Sequence, residues 1–231
     1  MENICENINF IEETINSVKN ISKAVELIAV TKTFFYQDVL EALKCGIKHV
    51  GENKIQEALP KFKQLGSSID DVTKHFIGHL QSNKAKKAVE NFDLIHSLDS
   101  INLASIISRY AAVAGKVQNC LIEIKVDKEA AKTGVTPEEL KDFYKKCILI
   151  PNILIKGLMV ITPYSSNPED SRQYFKQVYN SFEYVKKSFG NSEFAILSMG
   201  MSGDYKIAVE EGANMVRIGS AIFGERDYGN K

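Results

Sequence analysis

Short apolar runs alternate with amphipathic segments along almost the whole chain. The first segment, from about Ile4 to Ile21, has apolar residues at helical spacing and predicts a helix. Eight later runs are short and rich in apolar or β-branched residues, as buried strands of a parallel sheet are. These predicted strands are residues 27–32, 47–50, 75–77, 94–97, 120–126, 155–161, 194–198 and 214–218.

Segments of helical periodicity separate the strands and predict the connecting helices. The clearest are residues 36–44, 101–114, 167 or 171 to 189, and 204–211. Asp99 or Ser100 is the predicted cap of the helix over 101–114. Eight strands that alternate with helices are the elements of a (β/α)₈ TIM barrel, here with an extra N-terminal helix.

The main alternative for this alternation is an open, doubly wound α/β sheet. That fold often binds a dinucleotide through Gly-x-Gly-x-x-Gly after its first strand, and this chain has no such motif there. No linker, low-complexity run or shift in composition divides the chain. We therefore expect residues 1–231 to form one α/β domain, a TIM barrel.

Charge and hydropathy exclude two classes of partner. Lys and Arg together number 29, as do Asp and Glu, and no basic stripe indicates nucleic-acid binding. No apolar stretch is long enough to span a bilayer, and the N-terminus lacks the regions of a secretory signal. We expect a cytoplasmic monomer with neither nucleic-acid nor membrane partners.

The cysteines and histidines show no recognisable pattern of disulfides or metal ligands. Cys5, Cys45, Cys120 and Cys147 are scattered without a Cys-x-x-Cys spacing. We therefore expect reduced thiols, no disulfide framework and no zinc site. The four histidines fall on different strand ends without a matching set of carboxylates, so core or pocket histidines are favoured over metal ligands.

Lys32 ends the first predicted strand, the end at which a barrel places its active site. Desolvating an ammonium group costs free energy unless the group is paired, deprotonated or bonded covalently. Lys32 is therefore a candidate Schiff-base lysine. The alternative is a lysine that extends its stem to the surface and keeps its charge in water.

Two loops rich in glycine and serine follow the last two predicted strands. Ser198 to Ser202 lead into Gly203, and Gly219 with Ser220 follows the eighth strand. Loops at these positions of a barrel commonly bind a phosphate group through backbone N–H groups, and hydroxyls add donors. Turn and capping chemistry explains either loop alone, whereas the two together favour a phosphate site.

Arg217 lies in the last apolar strand and shares a face with Gly219. A guanidinium at that position keeps its charge and needs an acceptor. One interpretation is a buried ion pair with Glu52 or Glu123, and the other is a hydrogen bond to a phosphate or ring nitrogen of a ligand. A Schiff-base lysine, a phosphate site and an arginine for a ring nitrogen together describe pyridoxal 5′-phosphate (PLP).

Several segments match one family in order along the chain. They include Ala29-Val30-Thr31-Lys32-Thr33, Gly51-Glu52-Asn53, residues 75–84, Lys132-Thr133-Gly134, residues 197–202 and residues 216–224. In these segments the chain resembles the YggS/PROSC family of PLP-binding proteins, which share the barrel of the alanine racemase N-terminal domain, the type III fold of PLP proteins. Many short matches in register are far more specific than any one of them.

The resemblance implies a role for each residue of a cofactor site. Lys32 carries PLP as an aldimine, and Arg217 faces the pyridine nitrogen. Asn53 and Ile77 line the pocket. The phosphate group is held by Ser198, Ser202, Gly219 and Ser220. The resemblance also implies a part in vitamin B6 homeostasis, with PLP-dependent apoenzymes as possible recipients of PLP.

Binding without robust catalysis is the function that we expect. An arginine at the pyridine nitrogen makes the ring a weaker electron sink, which argues against a transaminase. Racemisation needs a second acid/base on the opposite face of the cofactor. In alanine racemase a tyrosine of a separate C-terminal domain supplies it, and we expect that domain to be absent from a chain that ends at Lys231.

Two enzymatic alternatives remain open. The first is a small PLP-dependent amino-acid racemase in which His79 or Tyr164 is the second base. The second is a class I aldolase that acts on a phosphosugar through a Schiff-base lysine. Such aldolases tend to place the lysine on a later strand than Lys32, which disfavours this second alternative.

Overall fold

Eight apolar segments pair as parallel strands in a computed structural model of the protein, which describes residues 3–18, 24–126 and 133–225. The strands are β1 (Glu26–Val30), β2 (His49–Glu52), β3 (Thr73–Phe76), β4 (Leu94–Leu98), β5 (Gln118–Ile124), β6 (Ile153–Val160), β7 (Ile196–Ser198) and β8 (Met215–Ile218). Each strand pairs with the next in chain order, and β8 pairs with β1. The sheet therefore closes, and the predicted eight-stranded barrel is confirmed.

Helices connect the strands. They are α1 (Ile4–Ser17), α2 (Tyr36–Lys44), α3 (Ile55–Leu65), α4 (Ala85–Asn91), α5 (Ile101–Val113), α6 (Leu140–Cys147), α7 (Arg172–Phe189), α8 (Tyr205–Glu210) and α9 (Ser220–Phe223). Ser100 is the cap of α5, because its hydroxyl accepts a hydrogen bond from the Leu103 N–H at 3.3 Å. Over the described residues, no helix combines the length and the apolar character needed to cross a membrane.

The side chains that point into the barrel form a core of their own. Neighbouring residues of a strand point to opposite faces, so Leu27 and Ala29 pack outward against the helices while Ile28 faces inward. The inward-facing apolar residues, which we call the inner cluster, are Ile28, Leu94, Leu121, Met159 and Met215. Cavities lie at both ends of the barrel, one at the N-terminal ends of the strands and one at their C-terminal ends.

Helix α1 is the predicted extra N-terminal helix, and it packs against α2 and α9. Its buried apolar face consists of Ile4, Ile8, Ile11 and Ile15. On the same helix, Asn7 Nδ2 donates to Ile222 O of α9 at 2.9 Å. The predicted end of this helix at Ile21 falls in residues 19–23, which lie outside the described part of the chain. The observed helix ends at Ser17.

The first strand is shorter than predicted. β1 ends at Val30, so Thr31 and Lys32 lie in the loop that follows it. Thr33 then has a φ of 71°, a left-handed conformation that is unfavourable for a β-branched residue. The Phe34 N–H donates to Thr31 O at 3.2 Å. The chain therefore turns immediately after Lys32, which an apolar run in the sequence cannot predict.

The expectation of four reduced cysteines is wrong for two of them. Cys5 of α1 and Cys45, at the C-terminal end of α2, form a disulfide with their Cα atoms 5.3 Å apart. Cys120 and Cys147 are free and buried. The pair is separated by 40 residues and comes together only because α1 packs against α2. Spacing along the sequence cannot reveal a contact of that kind.

The expectation that residues 1–231 form one domain stays a prediction. The barrel accounts for the described ranges, whereas residues 1–2, 19–23, 127–132 and 226–231 lie outside them.

Reduction of the Cys5–Cys45 disulfide should lower the free energy of unfolding by about 4 kcal/mol, because the bridge restricts a loop of roughly 40 residues in the unfolded chain. Urea unfolding followed by circular dichroism, with and without dithiothreitol, measures the change. The double variant Cys5→Ser/Cys45→Ser is the control, and it should unfold like the reduced protein under both conditions. An unchanged wild-type midpoint on reduction would contradict the assignment.

Candidate functional site

A cavity of about 220 Å³ lies at the C-terminal ends of the strands. Its wall is built from both ends of the chain, since β1 and β8 are neighbours in the closed sheet. Seven of the eight predicted cofactor-binding residues line it: Lys32, Asn53, Ile77, Ser202, Arg217, Gly219 and Ser220. The structure does not bring the eighth, Ser198, to this wall, because its side chain is buried beneath Arg217.

The backbone that precedes Lys32 is held by a buried ion pair. Lys61 Nζ lies 2.6 Å from Glu52 Oε1 and donates to Thr31 O at 2.6 Å. The Thr31 hydroxyl donates to the same carboxylate at 2.7 Å. Burial raises the pKa of Glu52, and the charge and hydrogen bond of Lys61 oppose that rise. These contacts fix the loop from which the Lys32 side chain reaches the cavity.

Asn53 follows β2 and is one of the residues that line the cavity. Its Oδ1 is buried, and no hydrogen-bond partner for it exists among the residues that the structure describes. Gly78, in the loop after β3, lies so close that a Cβ there would be 2.8 Å from Asn53 Cα. A buried amide oxygen without a partner costs free energy, so this atom suits a ligand that donates a hydrogen bond.

Arg217 is buried in β8, and its guanidinium is anchored by oxygen atoms of β7 and β6. Nη1 donates to Ser198 O at 2.8 Å and to Ser198 Oγ at 2.7 Å, and Nη2 donates to Val160 O at 2.8 Å. Burial lowers the pKa of Arg217 to about 10, although Asp204 and Glu123 oppose this. The group remains charged at neutral pH and offers further N–H groups to the cavity.

An ion pair of Arg217 with Glu52 or Glu123, one of the two interpretations of the sequence, is not observed among the described residues. Glu52 is paired with Lys61 instead, on the outer side of β2. Glu123 of β5 influences Arg217 only through its charge, and burial together with the Asp99 carboxylate raises the pKa of Glu123 to about 7. The hydrogen-bond acceptors of the arginine are two carbonyl oxygens and a hydroxyl, none of them charged, so the guanidinium suits an anionic or basic ligand.

The two predicted phosphate loops are joined by hydrogen bonds. Ser202 Oγ accepts from the backbone N–H groups of Gly219 and Ala221, both at 3.3 Å. Gly200 has a φ of 93°, and a Cβ there would lie 2.6 Å from the Cβ of Ala208. Glycine is therefore required for the turn after β7. Ser202 is thereby held beside Gly219 and Ser220 on one side of the cavity, and its hydroxyl keeps a hydrogen that it can donate to an anion.

Ser198 contacts a histidine that the sequence did not identify as part of the site. Its Oγ lies 3.2 Å from His96 Nδ1, and His96 Nε2 lies 2.9 Å from His75 Nδ1. Burial lowers the pKa of His75 to about 3 and that of His96 well below its ordinary value. Alternation along β3 was an available signal, since His75 shares a face with the cavity residue Ile77.

Other side chains could take the place of Lys32 or act as the second base of a racemase: Lys54 or Lys132 for the first role, and His79 or Tyr164 for the second. Lys54 is 63% exposed and pairs with Glu57 at 3.1 Å, while Lys132 falls outside the described residues. Tyr164 is 96% exposed, and His79 lies 3.6 Å from the Asp99 carboxylate. Over the residues described, no group of three or more His, Cys, Asp or Glu side chains is placed to hold a metal ion.

The chain is similar to one family over nearly its full length. Residues 7–227 match the family described as alanine racemase, N-terminal domain. A pyridoxal phosphate homeostasis protein of Aquifex aeolicus is 40% identical over 230 residues, which cover 98% of this chain and 100% of the relative.

Solved structures show the same barrel. PipY of Synechococcus elongatus PCC7942, solved with PLP bound, has a TM-score of 0.85 at 34% identity and covers 96% of this chain and 100% of its own. An alanine racemase of Clostridium difficile 630 has a TM-score of 0.71 at 16% identity, covering 97% of this chain and 57% of its own. At that identity the likeness to the racemase is one of fold alone.

Replacing Lys61 should destabilise the protein strongly, because it leaves the buried Glu52 carboxylate without a partner charge. We expect Lys61→Met to lower the free energy of unfolding at pH 7 by about 3 kcal/mol, as measured by urea denaturation. The double variant Glu52→Gln/Lys61→Met removes both charges and should recover most of the loss. A double variant as unstable as the single one would contradict this role for the ion pair.

Proposed function

We propose that this chain, which belongs to the pyridoxal phosphate homeostasis family and has the alanine racemase N-terminal domain fold, binds PLP at the C-terminal mouth of its barrel. It takes part in the homeostasis of PLP as a carrier. The observation that carries the proposal is the cavity, which gathers Lys32, Arg217 and the hydroxyl residues Ser202 and Ser220 from distant parts of the chain.

The residues present fit the cofactor. PLP carries a phosphate group, a ring nitrogen, a ring hydroxyl and an aldehyde, and the cavity has a group suited to each. The buried Asn53 Oδ1, which has no partner among the described residues, supports a ligand that donates a hydrogen bond at this wall. When bound, PLP supplies an aldehyde group that reacts with amines. It also supplies a ring that withdraws electrons from the carbon atom attached to the amine that has reacted.

We assign the residues by their position around the cavity. The Lys32 amine would bond to the aldehyde carbon in place of the aldehyde oxygen, which leaves as water, and the Arg217 guanidinium would donate a hydrogen bond to the ring nitrogen. Asn53 and Ile77 would line the ring. The phosphate group would be held by Ser202, Gly219 and Ser220. Ser198 has a different role in this proposal from the one that the resemblance implied, since its hydroxyl holds Arg217 and not a ligand.

A carrier role is supported by the electrostatics and the openness of the site. A charged arginine at the ring nitrogen keeps that nitrogen unprotonated, so the ring is a poor electron sink. The mouth of the cavity is bordered by Ile161 and Met201, which are 42% and 37% exposed. A cofactor held there remains accessible to a recipient. Cytoplasmic location, a monomeric state and transfer to PLP-dependent apoenzymes are parts of the same proposal.

The racemase alternative needs a second acid/base that touches the cofactor. Neither candidate lines the cavity: Tyr164 is almost fully exposed, and the His79 side chain is 53% exposed beside Asp99. No observation favours the alternative over the carrier role.

Titration of the protein with PLP should produce a yellow imine absorbance that depends on Lys32. We expect Lys32→Ala to lose the band, because the covalent bond is gone, while Lys54→Ala, at an exposed lysine near the mouth, keeps it. An equally strong band in Lys32→Ala would overturn the assignment of Lys32.

An assay for D-amino acids separates the carrier from the racemase. The wild-type protein loaded with PLP is incubated with a panel of L-amino acids, and we expect no product beyond that of free PLP. Steady turnover that is lost in Lys32→Ala would contradict the carrier role.

A further inference from the structure

A run of hydrogen bonds enters the barrel from its N-terminal mouth. Glu26 Oε2 lies 2.8 Å from His49 Nε2, and His49 Nδ1 lies 3.0 Å from His75 Nε2. His75 Nδ1 in turn lies 2.9 Å from His96 Nε2. These residues belong to β1, β2, β3 and β4, so each step crosses to the neighbouring strand. We call these four residues the histidine relay.

The relay ends at the arginine of the candidate PLP site. His96 Nδ1 lies 3.2 Å from Ser198 Oγ, which accepts from Arg217 Nη1 at 2.7 Å. One end of the run is therefore a carboxylate that is 55% exposed at the N-terminal mouth, in Glu26. The other end is a buried guanidinium at the C-terminal mouth. No step of the PLP site described above uses Glu26 or the three imidazoles.

The carboxylate at one end and the arginine at the other together determine the direction of every hydrogen bond in the relay. An ionised carboxylate only accepts, so His49 carries its hydrogen on Nε2, and a neutral imidazole then accepts at Nδ1. His75 must therefore donate from Nε2 and accept at Nδ1. The same reasoning places the hydrogen of His96 on Nε2.

The hydrogen bonds at the Arg217 end of the relay require the same direction. His96 accepts at Nδ1, so the Ser198 hydroxyl donates its only hydrogen to that nitrogen. The Ser198 oxygen is then left to accept from the guanidinium, which can only donate. With the relay reversed, Ser198 would receive hydrogens from both neighbours, and its own hydrogen would find no acceptor in either of them.

Burial keeps the inner members of the relay neutral. His75 and His96 are 1% and 0% exposed, and burial lowers the pKa of both. His49 is the member nearest solvent, at 19% exposure, and faces Glu26 of β1 and His75 of β3. Asp93 and Lys156 line the same cavity at the N-terminal mouth.

We propose that Glu26, His49, His75 and His96 are positioning residues for Arg217. The Glu26 carboxylate orders the hydrogens along the relay, so that the Ser198 hydroxyl donates to His96 and presents its oxygen to the guanidinium. Groups at the N-terminal mouth of the barrel thereby control the arginine at the C-terminal mouth. The effect on PLP binding rests on the proposed function, whereas the order of the hydrogens does not.

Nuclear magnetic resonance of the imidazole nitrogens tests the order directly in the full chain without added PLP. The protein has four histidines, so each ring can be assigned. At neutral pH we expect the ring hydrogen of His49, His75 and His96 to lie on Nε2, with Nδ1 of each ring as the acceptor. Hydrogen on Nδ1 of any of the three would overturn the proposal.

Variants of Glu26 test whether this carboxylate at the N-terminal mouth affects Arg217 at the C-terminal mouth. Glu26→Leu removes the acceptor, so part of the His96 population should move its hydrogen to Nδ1, and PLP affinity should fall about fivefold, the effect of one misdirected hydrogen bond. Glu26→Gln keeps an acceptor oxygen and should retain the wild-type order. Glu193→Leu removes another carboxylate, the partner of Lys156 at the same mouth, and should change neither readout.

The outcomes separate the relay from the proposed function. Imidazole hydrogens on Nε2 that respond to Glu26→Leu, in a protein that does not bind PLP, would support the relay and contradict the proposed function. A Lys32-dependent absorbance band, together with a His96 ring hydrogen whose position does not change in Glu26→Leu, would support the proposed function and contradict the relay.

Discussion

The burial of a charged guanidinium is the constraint on which the site depends. Arg217 lies in the last strand with almost no exposure, and a charge placed there must be surrounded by acceptors. The carbonyl oxygens of Ser198 and Val160 and the Ser198 hydroxyl supply them. Because none of these acceptors is a carboxylate, they stabilise the charge of Arg217 without neutralising it. The cavity above Arg217 is consequently a place for an acceptor, and the relay beneath it keeps Ser198 oriented.

Closure of the barrel turns that local constraint into a binding site. Ile28 of β1 is the register partner of Arg217 of β8, so the loop that carries Lys32 lies beside the loops of Ser202 and Gly219. The buried Glu52–Lys61 pair fixes the Lys32 loop from outside the barrel. Helix α1 supports α9, which follows the Gly219 loop, through the hydrogen bond from Asn7 to Ile222 O. The Lys32 amine and the loops proposed to bind the phosphate group are thereby held at the same mouth by elements from distant parts of the chain.

The sequence predicts the barrel and the cavity wall well because both follow from periodicity and strand ends. Lys32, Asn53 and Arg217 are polar residues at or near the ends of apolar runs, and parallel strands bring such ends together. Periodicity and strand ends do not predict contacts between residues that are distant in the sequence. The Cys5–Cys45 bridge, the Glu52–Lys61 pair and the partners of Ser198 depend on which faces meet after folding. Strand alternation alone could have predicted that His75 faces the barrel interior, since His75 shares a face with Ile77.

Covalent attachment of PLP to Lys32 is the central claim, and chemical trapping tests it most directly. The full chain is mixed with PLP, reduced with borohydride to make the linkage permanent, and digested, and the modified peptides are identified by mass spectrometry. We predict that the modification lies on Lys32 at one equivalent of PLP. Modification at Lys54 or Lys132 in place of Lys32, or labelling spread over surface lysines without preference, would contradict the claim.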